Sequence, residues 1–170
     1  LPVEILESAA RGKLQTVVKW LRKGGAVDAF GAGLTAGARL SDAGLLHAAA
    51  ANDQLEMVRE LLKRGASVDM QGSLGGTALM NAAGHGHLSI LLLLLQHSAN
   101  PDLQTNIHGF TALMQAAGEG HEACVQALLR AKANTELLDN DGRTALQWAE
   151  GNGHTAIAQL IRQHTAPPQP

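Results

Sequence analysis

Aromatic side chains are nearly absent. They make up 2% of the 170 residues, as two Phe and two Trp with no Tyr. Any core must then be built from Leu, Ala, Val and Ile, which favours many small, closely packed helices. There is a single cysteine, Cys124, which excludes an intramolecular disulfide and a Cys-based metal knuckle. It is expected in the core as inert packing. No basic excess is present: the formal net charge is −2, whereas nucleic-acid surfaces carry a strong positive excess. Long apolar runs are missing as well. The leucine run from Ile90 to Leu95 is six residues, far short of the ~20 needed to span a bilayer. The first residues, L-P-V-E-I-L-E, have neither the basic n-region nor the apolar h-region of a signal peptide. An intracellular protein without membrane contact is therefore expected. The missing starting Met fits a piece of a longer chain or a processed one. Finally, there is no nucleophile elbow, phosphate loop or dinucleotide fingerprint. The glycines of S-L-G-G-T lack the strand–loop–helix setting of a phosphate loop. Neither catalysis nor a cofactor is expected.

What the chain does have is self-similarity. T-A-L-M begins at Thr77 and Thr111, and T-A-L-Q at Thr144, steps of 34 and 33 residues. G-H recurs with the same steps at Gly86-His87, Gly120-His121 and Gly153-His154. L-L-K-R-G-A-S-V-D, L-L-Q-H-S-A-N-P-D and L-L-R-A-K-A-N-T-E close three units, from Leu61, Leu94 and Leu128. L-L-H-A-A-A from Leu45 extends the pattern upstream, and I-L-E-S-A-A-R-G-K from Ile5 is a weaker copy. Within each unit, the Thr hydroxyl can cap a first helix, and the paired alanines let neighbouring helices approach closely. The Gly of G-H suits a left-handed residue ending that helix. A second helix then carries an apolar stripe. No unit can bury that stripe alone, so stacking must create the core.

These motifs resemble the ankyrin-repeat family over nearly the whole chain. The resemblance implies an all-α repeat solenoid: about five stacked helix-turn-helix repeats with protruding β-hairpin loops. We read one domain over 1–166, with repeats near 3–30, 42–70, 71–104, 105–137 and 138–166. An extended loop is expected at 29–42, where the chain is eight residues longer than between other repeats. It is glycine-rich and is read as a flexible hairpin extension, a tolerated insertion in preference to a specific recognition loop. A proline-rich tail, 167–170, cannot continue a helix.

The chain departs from the family pattern in several places. The Pro after the Thr is Ala78, Ala112 and Ala145, and the following His survives only as His47, becoming Met80, Met114 and Gln147. Gly at the end of the second helix is kept at Gly24 and Gly65 but becomes Ser98, Lys132 and His164. In the leucine run, Ile90, Leu91, Leu94 and Leu95 are expected on the core stripe at about 100° per residue. Leu92 and Leu93 are then expected on the far side, with one or two leucines partly exposed. His87, His121 and His154 are read as hydrogen-bonding packing residues rather than metal ligands. Copies one repeat apart, about 10 Å, cannot share one ion.

By the same resemblance, the domain binds a protein partner through its hairpin tips and concave groove. The family's surface positions carry over here to Leu74, His85, Ile107, His108, Phe110, Glu119, Asp141, Arg143 and Asn152, with Trp148 beside that face. Leu74, Ile107, Phe110 and Trp148 are expected to line one groove. Phe110, Trp148 and Arg143 are the anchor types in which interface energy concentrates. Asp139 and Asp141 are read as shaping a turn with Gly142. A monomer is expected. Two alternatives stay open: a docking or regulatory segment of a larger enzyme, and a designed or consensus-like scaffold without a dedicated partner. Uneven repeats and lost glycines count against the second.

Overall fold

The computed structural model describes residues 1–35 and 38–165, with the backbone alone for 32–35 and 38–42. The expected tail at 167–170 lies outside the described residues, as do residues 36 and 37 of the expected loop. Helices come in consecutive pairs: α1 (Val3–Ala10) with α2 (Leu14–Arg22), α3 (Leu45–Ala51) with α4 (Leu55–Lys63), and α5 (Ala78–His85) with α6 (Leu88–Gln96). The pairs α7 (Ala112–Glu119) with α8 (Glu122–Arg130), and α9 (Ala145–Gly151) with α10 (Thr155–Thr165), follow. The first helices of the pairs form one row and α4, α6, α8 and α10 a second. The apolar core lies between the rows. The stretch expected as a hairpin extension is an antiparallel hairpin, β1 (Phe30–Thr35) with β2 (Ala38–Gly44), and its register shifts between Gly31 and Gly33. Among the described residues, no helix is long and apolar enough to cross a membrane.

The repeat residues act as their chemistry requires. Thr77, Thr111 and Thr144 cap α5, α7 and α9 by accepting from the backbone N–H three residues on. Gly86, Gly120 and Gly153 are left-handed, with φ of 74°, 83° and 77°. In the second pair Asp53 takes the same place at φ 56°. The paired alanines Ala82-Ala83 and Ala116-Ala117 are fully buried within the row of first helices. His87, His121 and His154 each place Nε2 3.1–3.2 Å from a carbonyl of the preceding repeat: Ala51, Gly84 and Gly118. They are ties between repeats, and among the described residues no group of three or more His, Cys, Asp or Glu could hold a metal ion. Cys124 is buried, and burial pushes its thiol up from the ordinary value.

Two readings need correction. In α6 the buried leucines are Leu91, Leu93 and Leu94, with Ile90; Leu95 is half-buried and Leu92 is exposed. The buried arc is thus turned toward Leu93, because α6 packs against α5 and is flanked by α4 and α8 on both sides. Secondly, Ser98 and Lys132 do sit at positive φ, 64° and 60°, but His164 lies inside α10, which runs on to Thr165.

Candidate functional site

The loops between repeats are tied to one another by a ladder of polar side chains. Gln71 Nε2 donates to the carbonyls of Gly75 in its own loop and Gln104 in the next. Gln104 repeats this with Gly109 and Leu138. Asn106 and Asn140 each bond back to the previous tip, through Ser73 and Ile107 carbonyls respectively. At the loop bases, Asp28, Asp69 and Asp102 accept from the backbone N–H of Ser67, Asn100 and Asn134. Each bond is worth about 1 kcal/mol. Their regularity fixes successive loops relative to one another.

That frame holds a groove of about 460 Å³ on the open face of α5, α7 and α9. Five of the expected surface residues meet there: His85, Phe110, Glu119, Trp148 and Asn152. Met80 and Met114 form apolar floor, and Asn81 and Gln115 stand on the same rows. Gly84 and Gly118 also line it, and their missing side chains matter. A Cβ on Gly118 would meet Trp148 Cε3 at 3.4 Å, and one on Gly84 would meet Gln115 Oε1 at 3.2 Å. At Gly84 the contact is tight enough that Gln115 would have to give, whereas at Gly118 a Cβ would make ordinary contact with Trp148. These floor residues escaped the sequence reading because only the family's variable surface positions were carried over. The available signal was the Met for His exchange at Met80 and Met114.

Leu74, Ile107, His108, Asp141 and Arg143 do not line the groove. Leu74 and Ile107, expected in it, are exposed on the hairpin tips at 52% and 55%. Both lie in loops outside the groove's lining, so they extend the surface rather than the groove wall. His108 stacks on Phe110 with ring centroids 5.1 Å apart. Phe110 meets Trp148 edge-on at 5.2 Å. The Arg143 guanidinium lies 4.3 Å from the centre of the Trp148 ring, a cation–π contact.

Asp139 organises the end of this chain of contacts. It does more than shape the turn. Its Oδ1 accepts from the backbone N–H of Asp141 and Arg143, at 3.0 and 2.8 Å. Its Oδ2 accepts from the Trp148 indole at 2.9 Å. Arg143 Nε stands 3.3 Å from Oδ2 but makes no hydrogen bond, so that contact is an ion pair alone. The other end of the guanidinium bonds Asp141 at 2.6 Å. Burial pushes the Asp139 carboxyl up, but the Arg143 amide, the Trp148 indole, the Asp141 amide and the Arg143 charge outweigh it and hold it below the usual carboxylate range. Trp148 is thereby locked before any ligand arrives. A rigid, half-exposed aromatic beside Phe110 can bind apolar matter at little ordering cost. Sequence could not show this convergence, since loop and helix must first fold together.

The model for "Ankyrin repeats (3 copies)" matches residues 5–105 and 98–169. The chain is similar to palmitoyltransferase ZDHHC13 of Mus musculus, 47% identical over 60 residues, which is 35% of this chain and 10% of that protein. It is similar to the probable E3 ubiquitin-protein ligase XBOS33 of Oryza sativa, 44% identical over 32% of this chain and 11% of that protein. Palmitoyltransferase AKR1 of Lachancea kluyveri is 32% identical over 109 residues, 61% of this chain and 15% of that protein. The chain thus spans only a small part of the curated relatives it matches. The repeat motifs, the paired helices and the family model agree: the chain belongs to the ankyrin-repeat family.

Proposed function

We propose that this domain is a non-catalytic protein-interaction module that holds an extended segment of a partner in the groove across α5, α7 and α9. The observation that carries this is the locked Phe110–Trp148–Arg143 array, anchored on Asp139 and open to the groove. Ankyrin repeats generally serve protein interaction. The groove has the anchor types and rigidity that concentrate binding energy. A second reading is compatible with the first. The relatives share with this chain only a small part of their length, and they are named as palmitoyltransferases and a probable ubiquitin ligase. The domain would then present a protein to a larger enzyme.

The test is comparative capture from a source-cell lysate. One bait is the parent domain, the second carries Phe110→Ala and Trp148→Ala, and the third carries Leu92→Glu on the outer face. Circular dichroism checks all three folds. A partner kept by the first and third baits but lost by the second, and protecting α5, α7 and α9 from hydrogen exchange, is the expected result. A partner lost only by the Leu92→Glu bait would move the interaction to the outer face and overturn the groove reading.

A further inference from the structure

We propose that the groove selects a basic partner segment: an apolar side chain packs on Phe110 and Trp148 while a lysine or arginine pairs with Glu119. This rests on the groove reading above. Three observations point to it. First, Glu119 is exposed in the groove beside Trp148 and Asn152, and it forms no ion pair among the described residues. Second, it occupies the last position of α7. The carbonyl end of a helix repels negative charge. His85, at the matching place on α5, brings no negative charge there, whereas Glu119 breaks the rule with no ion pair to offset it. Such departures from local consistency tend to mark function. Third, the charge in the groove is unbalanced: Glu119 is the one Asp, Glu, Lys or Arg among the described residues that line it. The face therefore attracts a cation and disfavours an acidic segment. Apolar floor and lone carboxylate lie in one groove, so one extended segment can reach both.

The test is selection from a phage-displayed random dodecapeptide library, run in parallel on the parent domain and on Glu119→Lys. Selected peptides are synthesised and titrated against the parent, Glu119→Gln, and Phe110→Ala/Trp148→Ala. Hydrogen exchange maps where each peptide sits on the parent, so the mapping stands even if the double variant fails to fold. The expected parent-selected peptides carry Lys or Arg beside an apolar residue. They protect α7 and α9, weaken about fivefold against Glu119→Gln and weaken further with added salt. Selection on Glu119→Lys favours Asp or Glu instead. Glu119→Gln melts no lower than the parent, because the carboxylate has no structural partner to lose. Groove-bound peptides without basic enrichment, or indifferent to Glu119, overturn this inference and leave the groove reading standing. Peptides that bind elsewhere, or a library that yields none, overturn both. A lowered melting temperature for Glu119→Gln would assign the residue to structure.

Discussion

Asp139→Asn isolates the carboxylate that locks the aromatic anchor. The amide oxygen can still accept from the backbone N–H of Arg143 and Asp141, which both bond Oδ1. The other end changes character. An NH2 now faces the Trp148 indole N–H, two donors with no acceptor between them. The charge opposite Arg143 also disappears. A hydrogen bond to a charged acceptor is worth about 1.5–3 kcal/mol. The Arg143 side chain is 43% exposed, so solvent screening limits its share to about 0.5–1 kcal/mol. The substitution should cost about 2–4 kcal/mol in total, a large part of a typical 5–15 kcal/mol stability. Urea denaturation followed by far-ultraviolet circular dichroism measures it. A cycle with Trp148→Phe, which has no indole N–H, sharpens the assignment. In that background Asp139→Asn should cost about 1.5–3 kcal/mol less. Repeats lose structure locally, so faster hydrogen exchange should concentrate in α9 and α10 and spare α3 and α4. An unchanged midpoint, or an equal cost in both backgrounds, would refute the idea that Asp139 holds Trp148.

Ser98→Gly and Lys132→Gly should each stabilise by about 0.5–1 kcal/mol. Relief of the left-handed penalty, about 1–2 kcal/mol, exceeds the extra entropy of Gly in the unfolded chain, and lower urea midpoints for both would contradict this. Gly118→Ala and Gly120→Ala should move stability in opposite directions. The first adds helix propensity of up to about 1 kcal/mol with ordinary contact to Trp148. The second strains a φ of 83° and drives a Cβ to 2.6 Å from His154 Cε1, for a loss above about 2 kcal/mol; equal melting temperatures for the pair would count against the reasoning. Burial lowers the His47 pKa despite backbone bonds from the ring to Gly76 and Met70 that raise it. Below the unfolded value of about 6.5 the unfolded chain therefore takes up a proton that the folded one resists. Stability should be level above that pH and fall as the pH drops through it. His47→Met, matching Met80 and Met114, should flatten the slope, and an identical acid-side profile for parent and variant would show that His47 is not its source.

The repeat architecture was legible because each unit solves the same local problem. Thr77, Thr111 and Thr144 cap helices through bonds three residues long, and such short-range geometry is written in spacing. The left-handed Ser98 and Lys132 were legible for the same reason, as both replace a glycine in register. His164 misled because α10 keeps its helical bonding past that register position. The leucine run misled by part of a turn. A helix wheel weighs one burying side, whereas α6 has neighbours on both flanks.

Of the expected surface residues, His85, Phe110, Glu119, Trp148 and Asn152 line the groove, set there by their register within the repeat. Leu74 and Ile107 do not, because loop projection depends on loop-to-loop bonds such as Asn106 to Ser73 and Asn140 to Ile107. The sequence by itself determined the stacking of paired helices, the caps, the left-handed ends and the rows of surface residues. All of these follow from interactions within one repeat or with its similar neighbour. Only the tertiary structure decided that Asp139, Arg143, Trp148 and Phe110 form one rigid array, and that Gly84 and Gly118 open the groove beside it. Those features depend on the distances between side chains of different elements, and such distances exist only after the core has set the helices against their loops.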